Sequence, residues 1–103
     1  MAGLSRRELD ALVEEAIVDA YDEDEQRSGF RVMIEDNLNL PFLTTVLGVE
    51  VTVTGIVDAP GTGIAALCRK GAIEQRIGVL DLPLPSPPAA GAEWIEAYRH
   101  WAG

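Results

Sequence analysis

Hydrophobic positions recur at three- and four-residue steps in two stretches before residue 41, and mostly at two-residue steps for some distance after it. Leu9, Leu12, Val13, Ala16, Ile17 and Ala20 form the first helical stripe. Ser5-Arg6-Arg7-Glu8 precedes it as a capping box, with Ser5 at the N-cap and Glu8 at the third helical position. Phe30, Met33, Ile34 and Leu38 form a second stripe, which predicts a second helix. Gly29 costs that helix about 1 kcal/mol relative to Ala, so it marks a break or a close packing point. Pro41 closes the helix, because the residue before a proline avoids helical dihedrals.

From Phe42 the rhythm is that of strands. Phe42–Leu47 reads as one strand. Val49, Val51, Val53 and Val57 alternate with Glu50, Thr52, Thr54 and Asp58 in the next. Ala59-Pro60-Gly61-Thr62-Gly63 is a turn. Ile64–Arg69 and Ala72–Leu80 are two more strands, joined tightly at Lys70-Gly71. Asp81–Pro88 is proline-stiffened and extended. Its Leu82 and Leu84, with Leu80, predict packing on the chain's own core rather than display as a proline-rich ligand. Glu93–Trp101 is a short closing helix with Trp94, Ala97, Tyr98 and Trp101 on one side. Alone it is too short to be stable, so that side must dock. The expected fold is α+β: two N-terminal helices, a small antiparallel sheet curled toward a barrel, and a short C-terminal helix. At 103 residues the chain has the length of one domain, spanning 1–103.

Charge changes the picture in one region. Residues 1–36 hold 11 acidic and 4 basic side chains, whereas residues 37–103 hold 6 and 4. Phosphates and anionic lipid would repel a chain of net charge −9, so nucleic acid and membrane surfaces are poor partners, and cations or a basic protein are good ones. No basic leader followed by an apolar run is visible, and no apolar stretch approaches membrane-spanning length. A cytoplasmic monomer is expected. The single cysteine, Cys68, excludes an internal disulfide and is expected to be a buried small hydrophobe.

The acids concentrate at Asp19, Asp22, Glu23, Asp24 and Glu25, and again at Glu35 and Asp36. Glu15, Asp19 and Asp22 are spaced to share one stripe on the first helix, at the end where its dipole disfavours acids. Glu23, Asp24 and Glu25 admit a purely structural reading, since acids favour the start of the second helix. Clustered carboxylates without His or Cys nearby are hard oxygen donors, better suited to Ca²⁺ than to a transition metal. An EF-hand loop does not fit: counted from Asp22, the sixth position is Arg27 instead of Gly and the twelfth is Met33 instead of Glu. Carbonyls at the Asn37–Leu40 helix end are expected to be free, which makes Glu35–Asn39 the natural partner of the Asp19–Glu25 cluster. Pro60–Gly63 lacks the Lys and the length of a P-loop. His100 is the only histidine, so a two-His metal site is excluded, and no nucleophile–base pair can be assembled around it.

A resemblance adds to this. Asp19-Ala20-Tyr21-Asp22-Glu23, Glu25-Gln26, Gly29-Phe30 and Glu35–Phe42 follow the pattern of a known family. So do Gly48–Val51, Leu80–Pro85 and Glu93–Trp101. In this order and spacing, over residues 17–101, the chain resembles the small CcbP-type calcium-binding proteins of bacteria. The resemblance implies a non-enzymatic, non-EF-hand Ca²⁺ binder that holds its ions at an acidic surface, and the expected role is reversible binding as a buffer or sensor. The acidic positions it matches are Asp19, Asp22, Glu23, Glu25, Glu35, Asp36 and Asp81. Asp22, Glu25, Glu35 and Asp36 are the expected direct ligands, with Asp19, Glu23 and Asp81 as alternatives. The competing expectation is a docking module for a basic protein with no metal role. A hydrolase using paired carboxylates is a third and lacks any visible nucleophile.

Overall fold

The computed structural model describes residues 4–59, 61, 63–85 and 87–103. Three helices and a four-stranded antiparallel sheet are present. Helix α1 runs Arg6–Ile17, and its capping box forms as read: the Glu8 amide donates to Ser5 Oγ at 3.1 Å and the Ser5 amide to Glu8 Oε1 at 3.1 Å. The Ser5 amide, and after it the Ser5 hydroxyl, stabilise the charged Glu8 carboxylate and hold its pKa below the ordinary value. Helix α2 runs Glu23–Asn37 and buries Phe30 and Ile34 completely. Each such side chain contributes about 1.5–3 kcal/mol by leaving water. Gly29 is a close packing point rather than a break. A Cβ there would fall within 3.0 Å of the Ala16 carbonyl oxygen, so the helices cross where only glycine fits.

Strands β1 (Phe42–Val46), β2 (Val49–Ala59), β3 (Gly63–Lys70) and β4 (Ile73–Gly78) pair in chain order. The sheet stays open and does not curl into a barrel. β1 and β4 remain separate edges because each strand pairs only with its chain neighbours. The expected alternation along β2 also changes. A register shift between Val53 and Gly55 turns the strand, so Val53 and Ile56 face the core and Thr54 is exposed. The last strand ends at Gly78, and Val79–Asp81 is a single 3₁₀ turn. The turn read at Ala59–Gly63 includes Pro60 and Thr62, and the Asp81–Pro88 segment includes Ser86; these three lie outside the described residues.

α2 lies across β2 and β3, and helix α3 (Glu93–Ala102) packs beside it, with α1 resting on both. The docking of α3 follows the aromatic side read from the sequence. Phe30 meets Tyr98 and Trp101 with ring centroids 5.6 and 5.3 Å away. Leu82 is buried, and the Thr44 hydroxyl donates to the Pro83 carbonyl, so the proline-stiffened segment is fastened to the chain's own core. Cys68 is buried in that core, and burial pushes its thiol pKa up.

Candidate metal centre

The acids expected on one helical stripe do not share a helix. α1 stops at Ile17, and the Ala20 amide bonds back to the Ile17 carbonyl at 3.0 Å. Asp19 adopts a left-handed conformation, φ 66°, which Asp tolerates better than most side chains. Asp22 then starts α2 as its N-cap, its Oδ1 accepting from the Glu25 amide at 2.8 Å. That local bond offers the backbone an alternative to continuing α1. Glu15, Asp19 and Asp22 therefore sit on a helix end, a loop and a cap. Val18 and Tyr21 are exposed between them, at 68% and 90%.

Part of the cluster has a structural partner. Arg27 reaches Asp24 Oδ1 at 3.0 Å and Glu23 Oε1 at 3.3 Å. These are exposed pairs, each worth at most about 1 kcal/mol. The α2 dipole adds to the same preference for acids in the first turn. Among the described residues, no ion pair reaches Asp19, Asp22 or Glu25.

At the far end of α2, Arg31 Nη1 lies 3.0 Å from Glu35 Oε1. Arg31 Nε is 3.0 Å from Asp58 Oδ2 on β2 but lacks the angle to donate, so that contact is charge attraction without a hydrogen bond. Asp58 took no part in the sequence-based site. It reaches Arg31 only through the packing of α2 on β2, and no local pattern signals that. Asp36 and Asp81 are exposed and without an ion pair among the described residues.

The helix itself separates the two acidic groups. Glu25 and Glu35 lie on one continuous helix. At about 1.5 Å per residue their backbones stand about 15 Å apart along its axis. Oxygens on one Ca²⁺ lie about 2.3–2.6 Å from it, hence within about 5 Å of each other. Asp22 and Glu25 are therefore not placed to share an ion with Glu35 and Asp36 in this arrangement, and the expected partnership of Glu35–Asn39 with the Asp19–Glu25 cluster is not assembled among the described residues. In the last turn of α2, Asn37 Nδ2 donates to the Met33 carbonyl at 2.8 Å, and the Leu38 amide to the Ile34 carbonyl at 2.8 Å. Of the carbonyls expected to be free at Asn37–Leu40, that of Asn37 is packed directly against Gly91.

The donor types fit a hard cation, since the side chains gathered around the α1–α2 loop are carboxylates. They are not preassembled: among the described residues no group of three or more His, Cys, Asp or Glu is placed to hold a metal ion. Exposed carboxylates on free rotamers would have to swing inward around an ion. His100 is engaged elsewhere, with Nε2 2.8 Å from Asp10 Oδ1, tying α3 to α1.

Among the described residues, no helix is long and apolar enough to cross a membrane. The family model for CcbP, described as calcium binding, matches residues 10–102. No curated protein and no solved structure matches the chain.

Proposed function

The chain belongs to the CcbP calcium-binding family, and on that premise we propose that it binds Ca²⁺ reversibly at a non-EF-hand site on its acidic surface. In this reading it is a cytoplasmic calcium buffer or sensor and not an enzyme. The observation that supports the location is the charge left unanswered at the α1–α2 loop. Arg27 is held by Glu23 and Asp24, which leaves Asp19, Asp22 and Glu25 without a cation among the described residues.

Asp19, Asp22, Glu23 and Glu25 would hold the ion there, with loop carbonyls and water completing the six to eight oxygens that Ca²⁺ takes. Asp22 can cap α2 through one carboxylate oxygen and offer the other. Glu35 and Asp36 form a separate place of attraction at the other end of α2, and Asp81 a further acidic position. The charge of a bound ion would relieve the repulsion among the loop acids. Because the ligands must be gathered, affinity would be lower than for a rigid cage, which suits reversible binding.

Calorimetric titration with Ca²⁺ tests the location. Asp19→Asn and Glu25→Gln should each weaken binding far more than Glu50→Gln, which removes an exposed charge on β2. Equal, small losses in all three variants would reject a loop site in favour of a diffuse field. The exposed Val18 and Tyr21 favour a second reading, in which the acidic loop docks a basic protein. That reading predicts no heat of Ca²⁺ binding at physiological Mg²⁺.

A further inference from the structure

β4 is an edge strand, and its sequence is self-complementary. It pairs with β3 on one side, and among the described residues no backbone hydrogen bond reaches its other side. The two-residue turn Gly71-Ala72 closes on the pair Lys70 and Ile73, which makes that pair hydrogen-bonded. Counting outward, Gln75 and Ile77 also bond inward to β3. The amide and carbonyl groups of Glu74 and Arg76 therefore point out from the sheet.

Only certain antiparallel registers let a second β4 use those groups. One sets Glu74 opposite Glu74 and another Arg76 opposite Arg76, and like charges directly opposite destabilise. The remaining short register is centred on Gln75. It sets Glu74 opposite Arg76 twice, Ile73 opposite Ile77 twice, and Gln75 opposite itself. Five consecutive residues, Ile73-Glu74-Gln75-Arg76-Ile77, are thus self-complementary when two copies run antiparallel.

Two further observations fit this pairing. Ile73 is 64% exposed, an apolar side chain for which the monomer provides no cover. Together with Gln75 and Ile77 it lines an apolar groove of about 280 Å³ that continues over Val46, Val51 and Cys68. The edge is also the least acidic part of the chain: residues 64–80 carry Arg69, Lys70 and Arg76 against Glu74 alone. Two copies can meet there with their acidic loops' sequence segments uninvolved. Charges on an exposed edge commonly block pairing. Opposite charges set two residues apart about a central Gln do the reverse for a second copy of the same strand.

We infer that two copies of this chain associate through antiparallel β4–β4 pairing, centred on Gln75, to form a continuous eight-stranded sheet with twofold symmetry. The contact is isologous and closed, so it yields dimers and not filaments. The proposed dimer departs from the monomer expected from the sequence, and it does not depend on calcium binding.

Sedimentation velocity from micromolar to millimolar protein at physiological salt tests this, with circular dichroism confirming that each variant is folded. The wild-type chain should form a dimer. Arg76→Glu and Glu74→Arg should each weaken it by about tenfold or more, because two favourable cross-strand pairs become two repulsive ones. Mixing the two variants should restore a dimer, since Arg at 74 then faces Glu at 76. Hydrogen exchange should show the Glu74 and Arg76 amides protected only in the dimer. A wild-type chain that stays monomeric at millimolar concentration would overturn the inference. So would a dimer indifferent to both substitutions, or a mixture that fails to associate.

Discussion

Gly29→Ala sets two known effects against each other at one atom. In a helix interior the substitution alone stabilises by about 0.8–1 kcal/mol, because glycine loses more backbone freedom on folding. Here the added methyl would come within 3.0 Å of the Ala16 carbonyl oxygen and 3.2 Å from its carbon. The obstacle is backbone, so α1 must move away from α2. Ala16 and Phe30 lie at that crossing and are both buried, so the movement disturbs packed atoms. Overpacking of this kind costs about 1–3 kcal/mol. A backbone clash belongs near the top of that range, which leaves a net loss of about 1–2 kcal/mol. For a domain of this size that lowers Tm by about 4–16 °C. Ser28→Ala is the control: Ser28 is an exposed neighbour on the same helix, where propensity alone should leave Tm unchanged or slightly higher. Thermal melts followed by circular dichroism, with EDTA present throughout, compare the three proteins. A Gly29→Ala melt that shifts upward with Ser28→Ala would show that the crossing has room, and the close-packing account would be wrong.

Ca²⁺ that binds only the native state should stabilise it by about 2.7 kcal/mol at a hundredfold excess over Kd; superimposable melts in EDTA and in Ca²⁺ would sink the proposed function. Mg²⁺ should compete poorly, because it demands near-octahedral geometry and holds its water whereas swinging carboxylates offer an irregular shell; displacement of Ca²⁺ by equimolar Mg²⁺ would argue for a generic acidic surface. The pKa of Glu8 is lowered by folding from its ordinary value of 4.5. Its charge therefore contributes stability that is fully present above that value and is lost as pH falls through the lowered one. The stability difference between the wild type and Glu8→Gln should be constant near neutrality and shrink in acid, and denaturant melts at stepped pH would show otherwise if it persisted.

Local chemistry was legible in the sequence. The capping box at Ser5 and Glu8, the stripe from Phe30 to Leu38 and the aromatic side of α3 each depend on residues a few positions apart. The end of α1 was legible too: Asp22 followed by Glu25 is a helix-start pattern, and it outweighs the apparent acidic stripe through Asp19. Gly55 inside a strand pattern likewise signals the bulge that brings Ile56 to the core. What sequence could not provide was contact across elements. The approach of Asp58 to Arg31 and of His100 to Asp10 arises from packing between segments far apart in the chain. The separation of Glu25 from Glu35 is a different case. It follows from the rise of the very helix that the hydrophobic stripe predicts, so the expected shared ion conflicted with the expected helix.

The placement of Trp101 gives the protein an optical gauge of its own. Its indole Nε1 donates to Gln26 Oε1 at 3.0 Å, and the Arg27 guanidinium stands 6.0 Å from its ring centroid. Both partners belong to the opening turns of α2, beside the loop acids. The second of the two tryptophans, Trp94, is buried and only 5% exposed. A cation that drew Glu23 away from Arg27 would alter the charge beside one indole and leave the other untouched. Emission from Trp101 therefore reports on the α1–α2 loop without an attached dye, and Trp94 supplies a steady background against which the change is read.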